Sequence, residues 1–213
     1  MKGFFITFEG CEGSGKSTHS RLLYEFLKKE GYAVVHTREP GGTKISEAVR
    51  LILLSPENNI TPLAELFLYE TARTQHMTEV IIPALEAGKT VVCDRFTDAT
   101  LAYQGYGRGL DIAVIKRLNH TAASGVKPDL TVYLDIAPEK GLKKARSIKK
   151  DFKKSCDRLE SEGISFHKRV RTGYLELARQ EPGRIKVIRT GDTIALTHKE
   201  VVRAVKKRLG TGR

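Results

Sequence analysis

This sequence predicts a three-layer α/β domain built on a five-stranded parallel sheet, and three observations carry the prediction. Five short runs rich in β-branched and aromatic residues recur along the chain. Longer stretches with helical spacing of their apolar residues separate them, the alternation that builds βαβ units. Right-handed crossovers then place helices on both faces of the sheet. Finally, 213 residues with 40% apolar and 29% charged content carry no internal repeat and no Pro-, Gly- or Ser-rich linker. Residues 1–213 therefore read as one domain with a sizeable core.

The first strand is expected over residues 3–9, short and apolar, with glycines at both ends. A helix over 16–29 follows, where Leu22, Leu23, Phe26 and Leu27 recur at helical steps until Gly31 stops them. Further strands are expected at 33–37, 90–94, 130–135 and 185–189. The remaining helices fall at 45–54, 62–87, 111–123, 138–150, 165–180 and 197–209, and residues 95–110 are assigned neither element.

The balance of 37 basic against 25 acidic residues, +12, admits nucleotides, nucleic acid and acidic membranes as partners without choosing among them. Cys11, Cys93 and Cys156 are odd in number and lack C-x-x-C or histidine spacing, so neither a disulfide framework nor a zinc site is indicated. A reducing, cytoplasmic setting is the simplest expectation. The start, MKGFFITFEG, is too short an apolar run for a secretory leader, and nothing approaches a membrane span. A nucleic-acid-binding module is poorly supported, because the densest basic stretch contains one aromatic residue, Phe152.

Residues Gly10, Cys11, Glu12, Gly13, Ser14, Gly15, Lys16 and Ser17 satisfy G-x-x-x-x-G-K-[ST] and lie between an expected strand and an expected helix, where a phosphate-binding P-loop belongs. Glycines let successive N–H groups converge on phosphate oxygens, and the positive end of the helix adds to the attraction. Lys16 is expected to reach the β and γ phosphates. Ser17 would help hold Mg²⁺, Thr18 would complete the cradle, and ATP is the expected donor. No N-K-x-D segment is present, as a GTPase would require, and the chain is short for a motor ATPase. A small kinase is favoured.

Beyond the cradle, Arg38-Glu39-Pro40-Gly41-Gly42-Thr43, Asp94-Arg95-Phe96, Tyr103-Gln104-Gly105 with Arg108, Pro128-Asp129-Leu130 and Asp157-Arg158-Leu159-Glu160 together resemble the thymidylate kinase family over nearly the whole chain. The resemblance implies a P-loop NTPase fold, transfer of the ATP γ-phosphoryl to dTMP, and a homodimer. Independently, strand ends in an open α/β sheet gather ligands, so Glu9, Arg38, Asp94 and Arg95 are expected around one crevice. Arg95 reads as the clamp on the acceptor phosphate, and Asp94 as an Mg²⁺ ligand through water or the residue that orients Arg95. Tyr69 and Arg73, four apart on a helix, share a face and match the family's thymine pocket. Thr100 and Gln104 are implied to bond the base, and Tyr103 to crowd a ribose 2′-hydroxyl. Tyr69 and Ala99 depart from the family's usual phenylalanine and serine. Another nucleotide or nucleoside acceptor is the runner-up.

From Lys140 to Arg158 nine basic residues face two acids. In the resembling family this segment, about 140–160 here, is a mobile lid that brings arginine to the transferring phosphoryl. The cradle's variable positions contain no basic side chain, which calls for such a delivery. Arg158 is the best match and Arg146 the second, while Glu12 is implied to lie near the acceptor sugar or metal. Cys11, beside a helix N-terminus, is expected to have a lowered thiol pKa. Apolar faces near 64–69 and 80–85 are the candidates for a dimer contact.

Overall fold

The computed structural model describes residues 3–148, 157–191 and 193–210. Five parallel strands, β1 (Phe4–Glu9), β2 (Val34–Arg38), β3 (Thr90–Asp94), β4 (Leu130–Asp135) and β5 (Ile185–Arg189), lie in the order β2-β3-β1-β4-β5. The central three are buried on both faces, as a sheet covered by crossover helices requires. Residues 6 and 8 of β1 point to a layer that includes Leu23 and Leu27 of α1 (Lys16–Lys29) and Val201 and Val205 of α9 (Ile194–Gly210). On the opposite face Phe5 packs with Met77, Ile81, Leu85 and Phe96. Truncating Phe8, fully buried at the centre, would cost about 3–5 kcal/mol.

Helix starts follow local chemistry. Thr43 accepts a hydrogen bond from Ser46 N at the head of α2 (Lys44–Leu54), and Asp111 accepts from the N–H groups of Ala113 and Val114 at the head of α6 (Ile112–Ala122). Each such cap is worth about 1 kcal/mol.

Two expectations change. The single helix expected at 62–87 is α3 (Pro62–His76), a wider π-helical turn (Met77–Ile81) and α4 (Ile82–Glu86). Pro83 has no N–H to return to the preceding turn, and Ile82 N bonds Met77 O, five residues back. The stretch left unassigned at 95–110 contains α5 (Thr97–Thr100) and a second π-helical turn (Leu101–Gly107). Its glycines signal a loop in sequence but serve packing instead: a Cβ on Gly107 would lie 2.7 Å from Phe166, and one on Gly105 would lie 2.4 Å from Ile112. They admit α6 and α8 (Ile164–Gln180) against that turn.

The apolar residues at 80–85 are occupied within the chain: Ile81, Ala84 and Leu85 are buried against β1 and β3. Along 64–69 Phe67 is exposed, as is the preceding Leu63, and α2, which packs on α3, exposes Ile45, Leu51 and Ile52. The segment expected as a lid begins with α7 (Pro138–Ile148). Residues 149–156, with Lys149, Lys150, Lys153, Lys154 and Cys156, lie outside the described residues.

Candidate active site

The carboxyl ends of β1, β2 and β3 open onto one cavity of about 640 Å³. Lys16 and Ser17 enter it from the cradle, Arg38 and Glu39 from β2, and Asp94 and Arg95 from β3. Tyr69 and Arg73 enter from α3, and Thr100, Tyr103 and Gln104 from the turn after α5.

Gly10, Gly13 and Gly15 all have positive φ (155°, 71° and 85°), a region open to glycine at little cost. The space beside Gly13 is reserved for protein rather than for phosphate, because a Cβ there would lie 2.0 Å from the carbonyl of Gly141 in α7. Conversely, a Cβ on Gly141 would lie 2.3 Å from Glu12 O. The cradle and the first turn of α7 thus touch backbone to backbone. Thr18 is partly buried behind exposed Ser17, and Ser14 is buried with its Oγ lacking a partner among the described residues.

Glu12 sits between Lys16 of the cradle and Arg95, just after β3. Its carboxylate lies 2.5 Å from Arg95 Nη2 and 3.7 Å from Lys16 Nζ, and accepts from Tyr103 Oη at 3.0 Å. Burial pushes its pKa up, but Lys16, Arg95 and the tyrosine hydroxyl outweigh burial and bring it down to about 2. Arg95 adopts a left-handed backbone (φ 72°), a strained state for a residue with a Cβ. Its N–H bonds Phe8 O at 2.9 Å and its guanidinium stacks over Tyr103 at 4.8 Å. The expected alternative partner, Asp94, does not hold it. Asp94 Oδ1 is buried without a hydrogen-bond partner among the described residues.

Arg73 is 2% exposed. Nε donates to Glu39 at 2.8 Å, Nη1 to Glu70 and Asn119 at 2.8 and 2.6 Å, and Nη2 to Thr100 Oγ1 at 2.8 Å. Most of the fork expected to meet a base is therefore committed to protein, and Tyr69 lines the cavity from the same face of α3. Arg38, at the rim, donates from Nη2 to both carboxylate oxygens of Glu47, each at 2.9 Å.

Three expectations need correction. Glu9 is fully buried behind the cavity wall rather than on it, accepting from Phe96 N at 2.8 Å and Tyr174 Oη at 2.7 Å. Burial, with the charge of Asp98, pushes its pKa up to about 8. Arg158 does not line the cavity: Nη2 lies 2.5 Å from Glu65, and Nε donates to Leu53 O at 3.1 Å. A buried carboxylate outcompetes solvent for that guanidinium, while Arg146 is exposed on α7. Cys11 points into the core with Leu66, Leu101 and Tyr133, leaving its backbone to the cradle. Burial pushes its thiol up to about 12, against the lowering expected from the helix end.

Residues that sequence reasoning overlooked support this site from a distance. Tyr174 of α8 bonds Glu9 and receives Arg95 Nη1 at 3.4 Å. Glu39, Glu70 and Asn119 hold Arg73, and Glu65 holds Gln104 at 2.7 Å. Of these, Glu39 lies within Arg38-Glu39-Pro40 and Glu65 within the 64–69 face, segments that stood out in sequence for other reasons.

A family model described as thymidylate kinase matches residues 8–201. A thymidylate kinase of Pelotomaculum thermopropionicum is 49% identical over 97% of this chain and 94% of its own length. One of Syntrophotalea carbinolica is 52% identical over 90% of this chain and 89% of its own. The crystal structure of thymidylate kinase from Ehrlichia chaffeensis superposes with a TM-score of 0.77 at 36% identity, covering 96% of this chain and 99% of that one. With a P-loop opening onto the same cavity as Arg73, Arg95 and Gln104, this chain belongs to the thymidylate kinase family.

Proposed function

We propose that the chain transfers the γ-phosphoryl of ATP to dTMP, yielding ADP and dTDP. One observation carries the reading: Glu12 links the cradle's Lys16 to the acceptor-side Arg95 inside a single cavity. The cations for both phosphate groups are thereby held close together, and proximity of this kind is the main resource of phosphoryl transfer.

An oxygen of the dTMP phosphate, oriented by the Arg95 fork, attacks the γ-phosphorus as the bond to the β–γ bridging oxygen breaks. Lys16 offsets charge on the β and γ oxygens. Tyr69 offers a ring to the base, and Thr100 and Gln104 offer hydrogen bonds to its edge. Tyr103, bonded to Glu12 and stacked on Arg95, crowds the position of a ribose 2′-hydroxyl.

Magnesium suits the residues present. Asp94 has an unpartnered buried oxygen and Ser17 is exposed in the same cavity, while among the described residues no group of three His, Cys, Asp or Glu is placed to hold a metal ion by itself. Ser17 and Asp94 would hold the ion mainly through nucleotide oxygens and water, and it would neutralise phosphate charge. With Arg158 bound to Glu65, Arg146 of α7 is the lid arginine assigned to the transferring group. A second copy packs on exposed Leu51, Ile52, Leu63 and Phe67 of α2 and α3, an apolar face suited to a homodimer. The buried free thiols of Cys11 and Cys93 and the nucleotide substrates suit the cytoplasm.

Transfer from γ-labelled ATP to a panel of nucleoside monophosphates tests the reading. The expected order has dTMP fastest; faster labelling of UMP, CMP or AMP overturns it.

A further inference from the structure

The acceptor pocket is backed by a carboxylate that the reaction described above does not use. Glu65, in the first turn of α3, is fully buried. Its oxygens accept from Gln104 Nε2 at 2.7 Å and from Arg108 Nε and Nη2 at 3.3 and 3.2 Å, and Oε2 forms an ion pair with Arg158 Nη2 at 2.5 Å. A carboxylate paired with two guanidinium groups accepts hydrogen bonds and donates none. It can therefore bind only the amino end of the Gln104 amide. Turning that amide over would set two acceptor oxygens 2.7 Å apart.

The oxygen end of Gln104 has no donor among the described residues, and Gln104 lines the acceptor cavity. Nearby, Thr100 Oγ1 already accepts from Arg73 Nη2, so its own proton is available to give. The pocket thus offers a hydrogen-bond donor from Arg73 or Thr100 and an acceptor from Gln104. Thymine and uracil carry the complement, a carbonyl next to N3–H. Cytosine carries an amino group next to a bare N3 and mismatches both.

We propose that Glu65 is the positioning residue that sets pyrimidine selectivity, by locking the Gln104 amide with its oxygen toward the base. The inference rests on the dTMP kinase reading and explains how that acceptor is separated from a cytosine nucleotide of nearly the same shape. Sites that pair buried polar groups with the right substrate reject the wrong one far more strongly than apolar pockets do.

The test compares kcat/KM for dTMP and dCMP in the wild type, in Glu65→Gln, and in the exchange variant Glu65→Gln/Gln104→Glu. In Glu65→Gln the residue-65 amide can offer either end, so Gln104 is free to turn. The dTMP/dCMP ratio should then fall by about 10-fold or more, chiefly through the KM for dTMP. The exchange variant returns an obligate acceptor to position 104, and the ratio should recover. A folded Glu65→Gln enzyme with the wild-type ratio overturns the proposal. Should Glu65→Gln fail to fold, the exchange variant, which keeps a carboxylate in the cluster, decides: preference for dTMP supports the proposal and its loss overturns it. A dTMP-bound crystal structure of the wild type with Gln104 beyond hydrogen-bonding reach of pyrimidine N3 overturns it without any variant. A wild type that does not prefer dTMP over dCMP refutes the acceptor assignment itself.

Discussion

The cradle is built from eight consecutive residues, Gly10 to Ser17, whereas the opposite wall of the cavity, the one proposed for the acceptor, depends on partners far apart in sequence. Arg73 meets Asn119 across 46 positions, Gln104 meets Glu65 across 39, and Tyr174 meets Glu9 across 165. On the cradle side the working groups are mainly backbone N–H donors, shaped by glycine conformations. On the acceptor side they are side chains whose free ends are defined by which ends the protein has already consumed. Buried ion pairs of that kind lend geometry, but each becomes a liability when one partner is removed. Damage to the cradle should therefore appear in rate, and damage to the acceptor wall in both affinity and stability.

The widest separation should come from the lid arginines. Arg146→Ala is expected to lower kcat by about 10³-fold, the scale of an arginine supplied to the transferring phosphoryl. Arg158→Ala, which loosens Glu65 instead, should act mainly on the KM for dTMP. Steady-state kinetics with each substrate varied would show the reverse if Arg158 reaches the phosphoryl group.

A second contrast sets Lys16→Met against Arg73→Met. Removing Lys16 should cut kcat/KM by about 10²–10³-fold, as loss of one charge-stabilising donor does, with little change in melting temperature. Removing Arg73 strands the carboxylates of Glu39 and Glu70 in the core and should cost about 3–5 kcal/mol of stability, with weaker dTMP binding. Chemical denaturation and calorimetric titration measure the two effects separately.

A smaller effect concerns pH. Glu9 in the folded chain holds its proton up to about 8, mainly because it is buried, while the unfolded chain releases it near 4.5. Between these values the unfolded state binds fewer protons, so this group's contribution to stability falls as pH rises. Glu9→Gln does not titrate and should flatten that decline in thermal melts between pH 5 and 8. Glu12 acts oppositely: with its pKa lowered to about 2, its contribution is present above 4.5 and is lost as pH falls toward 2. A decline between pH 5 and 8 that persists unchanged in Glu9→Gln would assign it to other groups.

The smallest response is expected at Cys11. With its thiol buried and pushed up to about 12, labelling of the Cys11 peptide, followed by mass spectrometry, should be slow with and without ATP. Fast labelling blocked by ATP would mean that the side chain opens toward the cradle.

What the amino-acid order determined alone were features set by local chemistry. The strands fall within a residue of their expected ends, because buried parallel strands are short continuous apolar runs. The cradle was legible because its groups are contiguous and depend on glycine. The π-helical turn at Leu101–Gly107 was not legible, since its glycines make room for Phe166 and Ile112, residues with no mark in that segment. Nor could residue type show that Arg158 is held by Glu65, that Glu9 lies behind the wall, or which end of Gln104 remains open. A side chain's chemistry is a property of the residue, but the share of its hydrogen-bonding capacity left for a ligand is decided by its neighbours, and only tertiary packing supplies those.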